Sequence, residues 1–154
     1  MSPLDLTLRL LLAAGLGAAI GLERERHRKP AGLRTNILIA VGAALFTTLS
    51  VHLAGVGGTP DRIAAQIVTG VGFLGAGAIL HSGVTVQGMT TAATIWVNAA
   101  VGMSVGAGQY AMAAVATGIT VVVLAVLAPF EAWFERRARA PESPRNHENT
   151  KKTI

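Results

Sequence analysis

The segment between Arg62 and Glu131 contains no Asp, Glu, Lys or Arg, a run of 68 residues at positions 63–130. A soluble domain usually carries roughly a quarter of its residues as charges, which cover its surface. Only 14% of this 154-residue chain is charged and 51% is hydrophobic, so this run cannot supply such a surface. Lipid is therefore the expected solvent of this part of the chain.

Five apolar segments divide most of the sequence. Each is close to the roughly 20 residues that an α-helix needs to cross a hydrocarbon core of about 30 Å. They lie at about 4–22, 36–54, 63–81, 89–106 and 109–129, and the fourth is the least hydrophobic. The sequence predicts an all-α membrane protein, a bundle of five transmembrane helices.

The positive charges predict the orientation of the bundle. Segment 23–35 holds five Lys or Arg residues and the chain after Phe130 holds six, whereas Arg62 falls on the opposite side and Arg9 near the start of the first span. With five spans, the two basic segments share one side, as the positive-inside rule requires. The N-terminus is expected outside and the C-terminus in the cytoplasm. Anionic lipid headgroups, not nucleic acid, are the expected partners of these charges.

Two regions follow from this division. Residues 1–130 form the predicted transmembrane domain, and residues 131–154 a basic cytoplasmic tail. The tail is expected to be disordered because it has too few apolar residues to build a core.

Gly70, Gly72 and Gly75 spell G-x-G-x-x-G, the fingerprint of a dinucleotide site. That fingerprint needs a preceding strand and an acidic residue about 20 positions later. The residues before Gly70 indicate an apolar helix, and no carboxylate lies within fifty residues after Gly75. We expect neither a nucleotide cofactor nor another cofactor, and no enzyme, since no nucleophile and base stand at catalytic spacing.

Small residues four positions apart are typical of packed transmembrane helices, because they let two backbones approach closely. The pairs here are Gly17 with Gly21, Gly72 with Ala76, and Gly102 with Gly106. The third span also holds Gly70, Gly75 and Gly77, which predicts that it is the central helix with neighbours on more than one side. The alternative is a backbone opening that lines a pathway.

Polar residues inside a span are candidates for function. Thr91, Thr94 and Asn98 recur at helical spacing and, with Gly102, form one stripe on the fourth span. The stripe either makes hydrogen bonds between helices or faces a polar pathway.

Carboxylates are few. Glu23 and Glu25 follow the first span and lie close in sequence to a polar group at the start of the second, Arg34, Thr35 and Asn36. Magnesium prefers one or two carboxylates with retained water, so Glu23 and Glu25 are weak candidates for a magnesium site. The alternative is that both are solvated or paired with nearby arginines.

Three blocks together resemble the MgtC/SapB family of bacterial inner-membrane proteins. They are GLERERHRKPAGLRTNILIAVGAALF from Gly21, RIAAQIVTGVGFLGAGAIL from Arg62 and GMTTAATIWVNAAVGMSVGAGQY from Gly88. The resemblance covers about residues 5–128. The motif positions that it carries over are Glu23, Gly32, Leu33, Arg34, Thr35, Gly72, Gly75, Gly77, Thr91, Thr94 and Trp96.

The resemblance implies a multi-pass protein linked to magnesium limitation and, in some bacteria, to virulence. Some members act as regulators that bind other membrane machinery such as the proton-translocating ATP synthase. Many continue into a cytoplasmic domain of the ACT type, and control by such a domain is not expected from the short basic tail here. Some virulence-associated members carry Asn and Cys at the positions of Thr90 and Val97, so a pathogen-specific role is not assumed.

Two functions follow. The first is a non-enzymatic regulator that acts by helix–helix contact, since the spans are rich in small residues and poor in charge. The second is a small transporter or channel for a divalent cation such as magnesium. The polar stripe of the fourth span and Glu23 favour this second function. Five helices are few for a pathway, so a transporter would be a homo-oligomer, and magnesium could also be a signal or a ligand.

Overall fold

The computed structural model describes residues 1–54, 61–82 and 85–138. Over these ranges the chain forms five α-helices and one two-stranded β-hairpin. In chain order they are α1 (Pro3–Arg26), α2 (Leu33–Ala54), α3 (Asp61–Gly77), β1 (Leu80–Ser82), β2 (Thr85–Gln87), α4 (Met89–Gly106) and α5 (Tyr110–Ala138).

Local sequence signals set the helix ends. The Ser2 side chain accepts a hydrogen bond from the Asp5 backbone N–H at 3.1 Å, and Pro3 occupies the first turn of α1, as is common at helix starts. Helix α4 begins after Gly88, whose φ of 93° is in the left-handed region. A Cβ at Gly88 would also collide with the Ala78 carbonyl oxygen, so both the backbone conformation and the space favour glycine there.

Helix α4 is the centre of the bundle, because it packs against each of the other four helices. Helix α2 packs against α1, α3 and α4. One apolar core is formed by Ala13 and Ile20 of α1, Ala40 and Ala44 of α2, Val101 and Val105 of α4, and Ala113 and Leu124 of α5. A second, smaller core joins α2, α3 and α4.

The prediction that the third span is the central helix is wrong. Helix α3 lies at the edge of the bundle and packs mainly against α4 and α2. A Cβ added at Gly70, Gly72 or Gly77 would meet no atom within 4 Å. Gly70, Gly72 and Gly77 therefore leave open surface on α3, whereas the glycines of α4 allow close packing.

The all-α membrane class is confirmed. Among the described residues, α1, α2 and the part of α5 from Tyr110 to Leu127 are long and apolar enough to cross a membrane. The apolar part of α3, Ala64–Gly77, is shorter. The crossing of all five helices remains a prediction.

Two boundaries differ from those predicted. The third span ends at Gly77 and is followed by the antiparallel hairpin, in which Leu80 pairs with Gln87. The β-branched Thr85 and Val86 favour extended backbone there. Helix α5 continues to Ala138, so residues 131–138 are helical and not disordered, because they contain good helix formers and neither Gly nor Pro. Residues 139–154 of the predicted tail lie outside the described residues.

The C-terminal end of α1 and the N-terminal ends of α2 and α4 meet at one end of the bundle, which we call the basic end because it carries the charges of segment 23–35. The opposite end, where Arg9 of α1 meets Gly106 of α4, is called the far end.

Candidate functional site

Four glycines bring α1 and α4 against the backbone of α2. A Cβ at Gly17 would lie 2.8 Å from the Asn36 carbonyl oxygen, and one at Gly21 would lie 2.7 Å from the Leu33 Cα. On α4, a Cβ at Gly102 would collide with the Ala40 carbonyl oxygen. A Cβ at Gly106 would come within 2.5 Å of the Ala44 carbonyl oxygen. Contacts this short leave no space for a side chain, so α1, α2 and α4 form a closed three-helix unit.

The polar stripe of α4 faces this unit. Thr91, Thr94 and Asn98 are 2%, 3% and 0% exposed. The Asn98 side-chain amide donates to the Asn36 backbone carbonyl at 2.7 Å and to the Asn36 side-chain oxygen at 3.1 Å. The Thr94 hydroxyl donates to the Thr90 carbonyl of its own helix at 2.7 Å.

Asn36 itself is fixed by the turn before α2. Its side-chain nitrogen donates to the Gly32 carbonyl at 3.0 Å and to the Ala31 carbonyl. Asn36 is completely buried, next to Gly21 of α1. A single amide therefore joins the start of α2 to α4, and the glycine of α1 makes the space for it.

Arg24 is a member of the site that the sequence interpretation missed. Only 4% of its surface is exposed, and its guanidinium donates to the Thr91 hydroxyl at 2.9 Å. Arg24 follows Gly21 by three residues and Gly17 by seven, a spacing that puts all three on one helix face. That spacing was the available signal, but Arg24 lies within a run of charges and was counted with the headgroup contacts.

Several buried side-chain atoms at the basic end have no hydrogen-bond partner among the described residues. They are Glu23 Oε2, Arg24 Nε and Asn98 Oδ1. Most buried polar atoms in proteins are hydrogen-bonded, so unpaired ones are candidates for function. We call Glu23, Arg24, Asn36, Thr91 and Asn98 the polar cluster.

The two glutamates of the predicted magnesium site have separate partners. The buried Glu23 carboxylate lies 3.0 Å from His27 Nδ1, and the exposed Glu25 accepts from the Leu33 backbone N–H at 3.1 Å. Residues two positions apart on a helix do not face each other, so this pair does not fit one metal ion. Over the described ranges, no group of three or more His, Cys, Asp or Glu could hold a metal.

The remaining predicted residues lie outside the polar cluster. Arg34 and Thr35 are exposed at the basic end. Gly75 packs against Ala92 of α4, where a Cβ would lie 3.5 Å from the Ala92 carbonyl oxygen. The glycines of the G-x-G-x-x-G pattern all lie inside α3, which is not the strand-to-helix turn that a dinucleotide site requires.

Arg9 connects three elements at the far end. It forms an ion pair with Asp5 at 3.3 Å and donates to the Gly106 carbonyl at 3.0 Å. Its guanidinium lies 5.8 Å from the centre of the Tyr110 ring, within the range of a cation–π contact. The Thr48 hydroxyl donates to the same Gly106 carbonyl at 3.3 Å.

An apolar exterior, a glycine-packed interior and a buried polar cluster at one end define a helical membrane protein. The chain belongs to the MgtC family, which matches residues 10–133 and confirms the resemblance. It is 48% identical over 129 residues to "Putative magnesium transporter YhiD" of Escherichia coli K12, an alignment covering 79% of this chain and 60% of the relative.

Two further relatives carry the name "Protein MgtC". The one from Brucella abortus is 50% identical over 123 residues, which is 80% of this chain and 51% of the relative. The one from Salmonella typhimurium is 51% identical over 110 residues, which is 71% and 47%. The chain thus spans about half to 60% of the length of these relatives. No solved structure matches it.

Proposed function

We propose that this chain is a multi-pass protein of the bacterial inner membrane that regulates other membrane machinery by helix–helix contact during adaptation to magnesium limitation. Its N-terminus is outside and its C-terminus cytoplasmic, since the basic segments then share the cytoplasmic side. The observation that carries the proposal is the open small-residue surface of α3.

This surface, which we call the outer α3 face, consists of Ala65, Thr69, Gly72 and Ala76. All four residues are exposed, and they follow one another at intervals of three or four along the helix. A Cβ at Gly72 would meet nothing within 4 Å. Small residues at this spacing let a second transmembrane helix approach closely, and no helix among the described residues does so here.

The interior of the bundle supports regulation by helix–helix contact more than conduction of an ion. The glycines of α1 and α4 press on the α2 backbone, and the Asn98 amide bonds directly to Asn36. These contacts close the space between α1, α2 and α4 that a pathway would need. The first partner to test is a membrane subunit of the proton-translocating ATP synthase, because the resemblance implies such partners. The second is another copy of this chain.

The chain contains no cysteine, so single-cysteine variants report contacts without background. We expect Gly72→Cys, in native membranes, to form a cross-linked product with a membrane protein. The matched control is Gly118→Cys on α5, where a Cβ would also meet nothing within 4 Å. Equal cross-linking from both positions, or none from Gly72→Cys, would count against the proposal.

A functional test uses bulk at the same positions. Gly72→Leu should impair growth at limiting magnesium without loss of folded protein, and Gly118→Leu should not. If cells that express Gly72→Leu grew as well as cells that express the unmodified chain, the outer α3 face would have no regulatory role.

A small oligomeric transporter for a divalent cation is the second candidate. It is favoured by one oxygen atom each of Glu23 and Asn98, which are buried in the polar cluster without a hydrogen-bond partner among the described residues. The name of the Escherichia coli relative points the same way. If the chain is a transporter, magnesium is its cargo. If the chain is a regulator, magnesium is the signal or a ligand of its partner.

A further inference from the structure

We propose that the groove between α2 and α3 binds one acyl chain of an anionic phospholipid, with the lipid phosphate held by Arg34 at the basic end. The groove has a volume of about 680 Å³ and is lined by side chains of α2 and α3, with Ile95 of α4 among them. It lies on a different side of α3 from the outer α3 face, so this inference does not depend on the regulator proposal.

Two glycines keep the groove open. Gly42 of α2 and Gly70 of α3 both line it, and a Cβ at either position would meet nothing within 4 Å. Leu38 and Phe46 form its walls and are 69% and 54% exposed. The lining is almost wholly apolar, as an acyl chain requires.

The length of the groove fits an acyl chain. From Thr35 to Phe46 it follows twelve residues of α2, which is eleven steps of 1.5 Å or about 16 Å, roughly one leaflet of a bilayer core of about 30 Å.

Charge identifies the headgroup. Arg34 is exposed, and it lies one helical turn before Leu38, on the same side of α2 as the groove wall. Within the part of the chain that the structure describes, no ion pair or hydrogen bond occupies its guanidinium. Arg26, Arg28 and Lys29 are also exposed at this end and add positive potential, whereas the nearby Glu25 carboxylate is bonded to the Leu33 N–H. A phosphate at the mouth of the groove complements this arrangement.

Native mass spectrometry of the full, delipidated chain in detergent tests the proposal. The probes are phosphatidylglycerol and zwitterionic phosphatidylethanolamine with identical acyl chains. We expect tighter binding of phosphatidylglycerol. Arg34→Gln should weaken phosphatidylglycerol binding about fivefold and change phosphatidylethanolamine binding little, since one basic side chain is lost at the headgroup.

Gly42→Leu and Gly70→Leu fill the groove from two different helices, and each should weaken the binding of both lipids. The matched controls are Arg26→Gln, an exposed arginine at the same end, and Gly118→Leu, an open glycine away from the groove. Gly118→Leu should bind both lipids like the unmodified chain, and Arg26→Gln should lower phosphatidylglycerol binding clearly less than Arg34→Gln, since Arg26 adds only to the general positive potential of this end.

Several results would overturn the proposal. Equal losses of phosphatidylglycerol binding in Arg34→Gln and Arg26→Gln would mean that the lipid is attracted to the basic end as a whole and not held by Arg34. Unchanged binding in folded Gly42→Leu and Gly70→Leu would mean that the groove takes no acyl chain. Displacement of the lipid by soluble glycerol phosphate would mean a site for free phosphate. None of these outcomes bears on cross-linking from Gly72→Cys, so the two proposals fail separately.

Discussion

The Asn98 side-chain amide donates to both the backbone carbonyl and the side-chain oxygen of Asn36, at 2.7 and 3.1 Å, and so joins α4 to α2 inside the bundle. Both residues are completely buried. Asn36 is in turn bonded to the turn before α2, so one chain of hydrogen bonds runs from that turn to the middle of α4. This arrangement makes the polar stripe of α4 a connector between helices.

Asn98→Ala removes both bonds to Asn36. We expect it to lower the free energy of unfolding by about 1 kcal/mol, the typical value of a hydrogen bond between membrane helices. Circular dichroism during unfolding in mixed micelles measures the change. Ser104→Ala is the control, because the Ser104 hydroxyl bonds to the Ala100 carbonyl of its own helix, and it should cost less than about 0.5 kcal/mol. Equal effects of the two changes would show that the Asn98 bonds contribute nothing special.

Gly106→Ala and Gly118→Ala should have opposite effects. At Gly106 the new methyl group would press on the Ala44 carbonyl oxygen, and overpacking of this kind costs about 1–3 kcal/mol. At Gly118 there is open space, and alanine favours a helix by about 1 kcal/mol over glycine. The melting temperatures of the two variants and the unmodified chain, measured in the same detergent, test this prediction. A stabilising Gly106→Ala would contradict the packing described here.

Arg24 and Thr91 should be energetically coupled. The double-mutant cycle of Arg24→Met and Thr91→Val removes their bond, while Val keeps the shape of Thr and Met keeps most of the apolar stem of Arg. We expect a coupling free energy of about 1 kcal/mol. The cycle of Arg26→Met with Thr91→Val should give none, since Arg26 is exposed. Equal coupling in the two cycles would mean that the contact of Arg24 with Thr91 is not made.

Arg9→Gln should loosen the far end. The change removes the Gly106 bond, the Asp5 ion pair and the Tyr110 contact together. We expect faster hydrogen exchange of the backbone amides in the connection between α4 and α5. Asp5→Asn removes only the half-buried ion pair with Arg9, worth about 1 kcal/mol or less, and should leave that exchange nearly unchanged. Similar exchange in Arg9→Gln and the unmodified chain would contradict this role for Arg9.

Spacing alone was enough to predict the stripe of α4. Thr91, Thr94, Asn98 and Gly102 share one face of any α-helix, and that face is buried in the structure. Spacing could not choose the partner, because the packing of helices depends on which neighbour supplies a matching surface. Asn36 was identified as a candidate from its place at the start of α2, but its bond to Asn98 joins residues 62 positions apart.

The number of glycines in α3 led to the wrong prediction that this helix is at the centre of the bundle. Many glycines can mean close packing or an open surface, and only the neighbours of the helix distinguish the two. A Cβ at Gly102 would meet the α2 backbone, whereas one at Gly72 would meet no described atom within 4 Å. Arg24 was missed for a related reason. A charge at the end of a span is usually solvated, and the burial of Arg24 depends on the partner that it meets there, the Thr91 hydroxyl of α4.

Divalent-cation flux in proteoliposomes tests the central claim, regulation by contact and not conduction, most directly. The unmodified chain is compared with Glu23→Gln and Asn98→Ala, after circular dichroism and protease protection have shown each protein folded and correctly inserted. The account predicts no saturable magnesium flux above that of empty liposomes. Saturable flux that either variant abolishes would contradict it and would make the polar cluster part of a transport pathway.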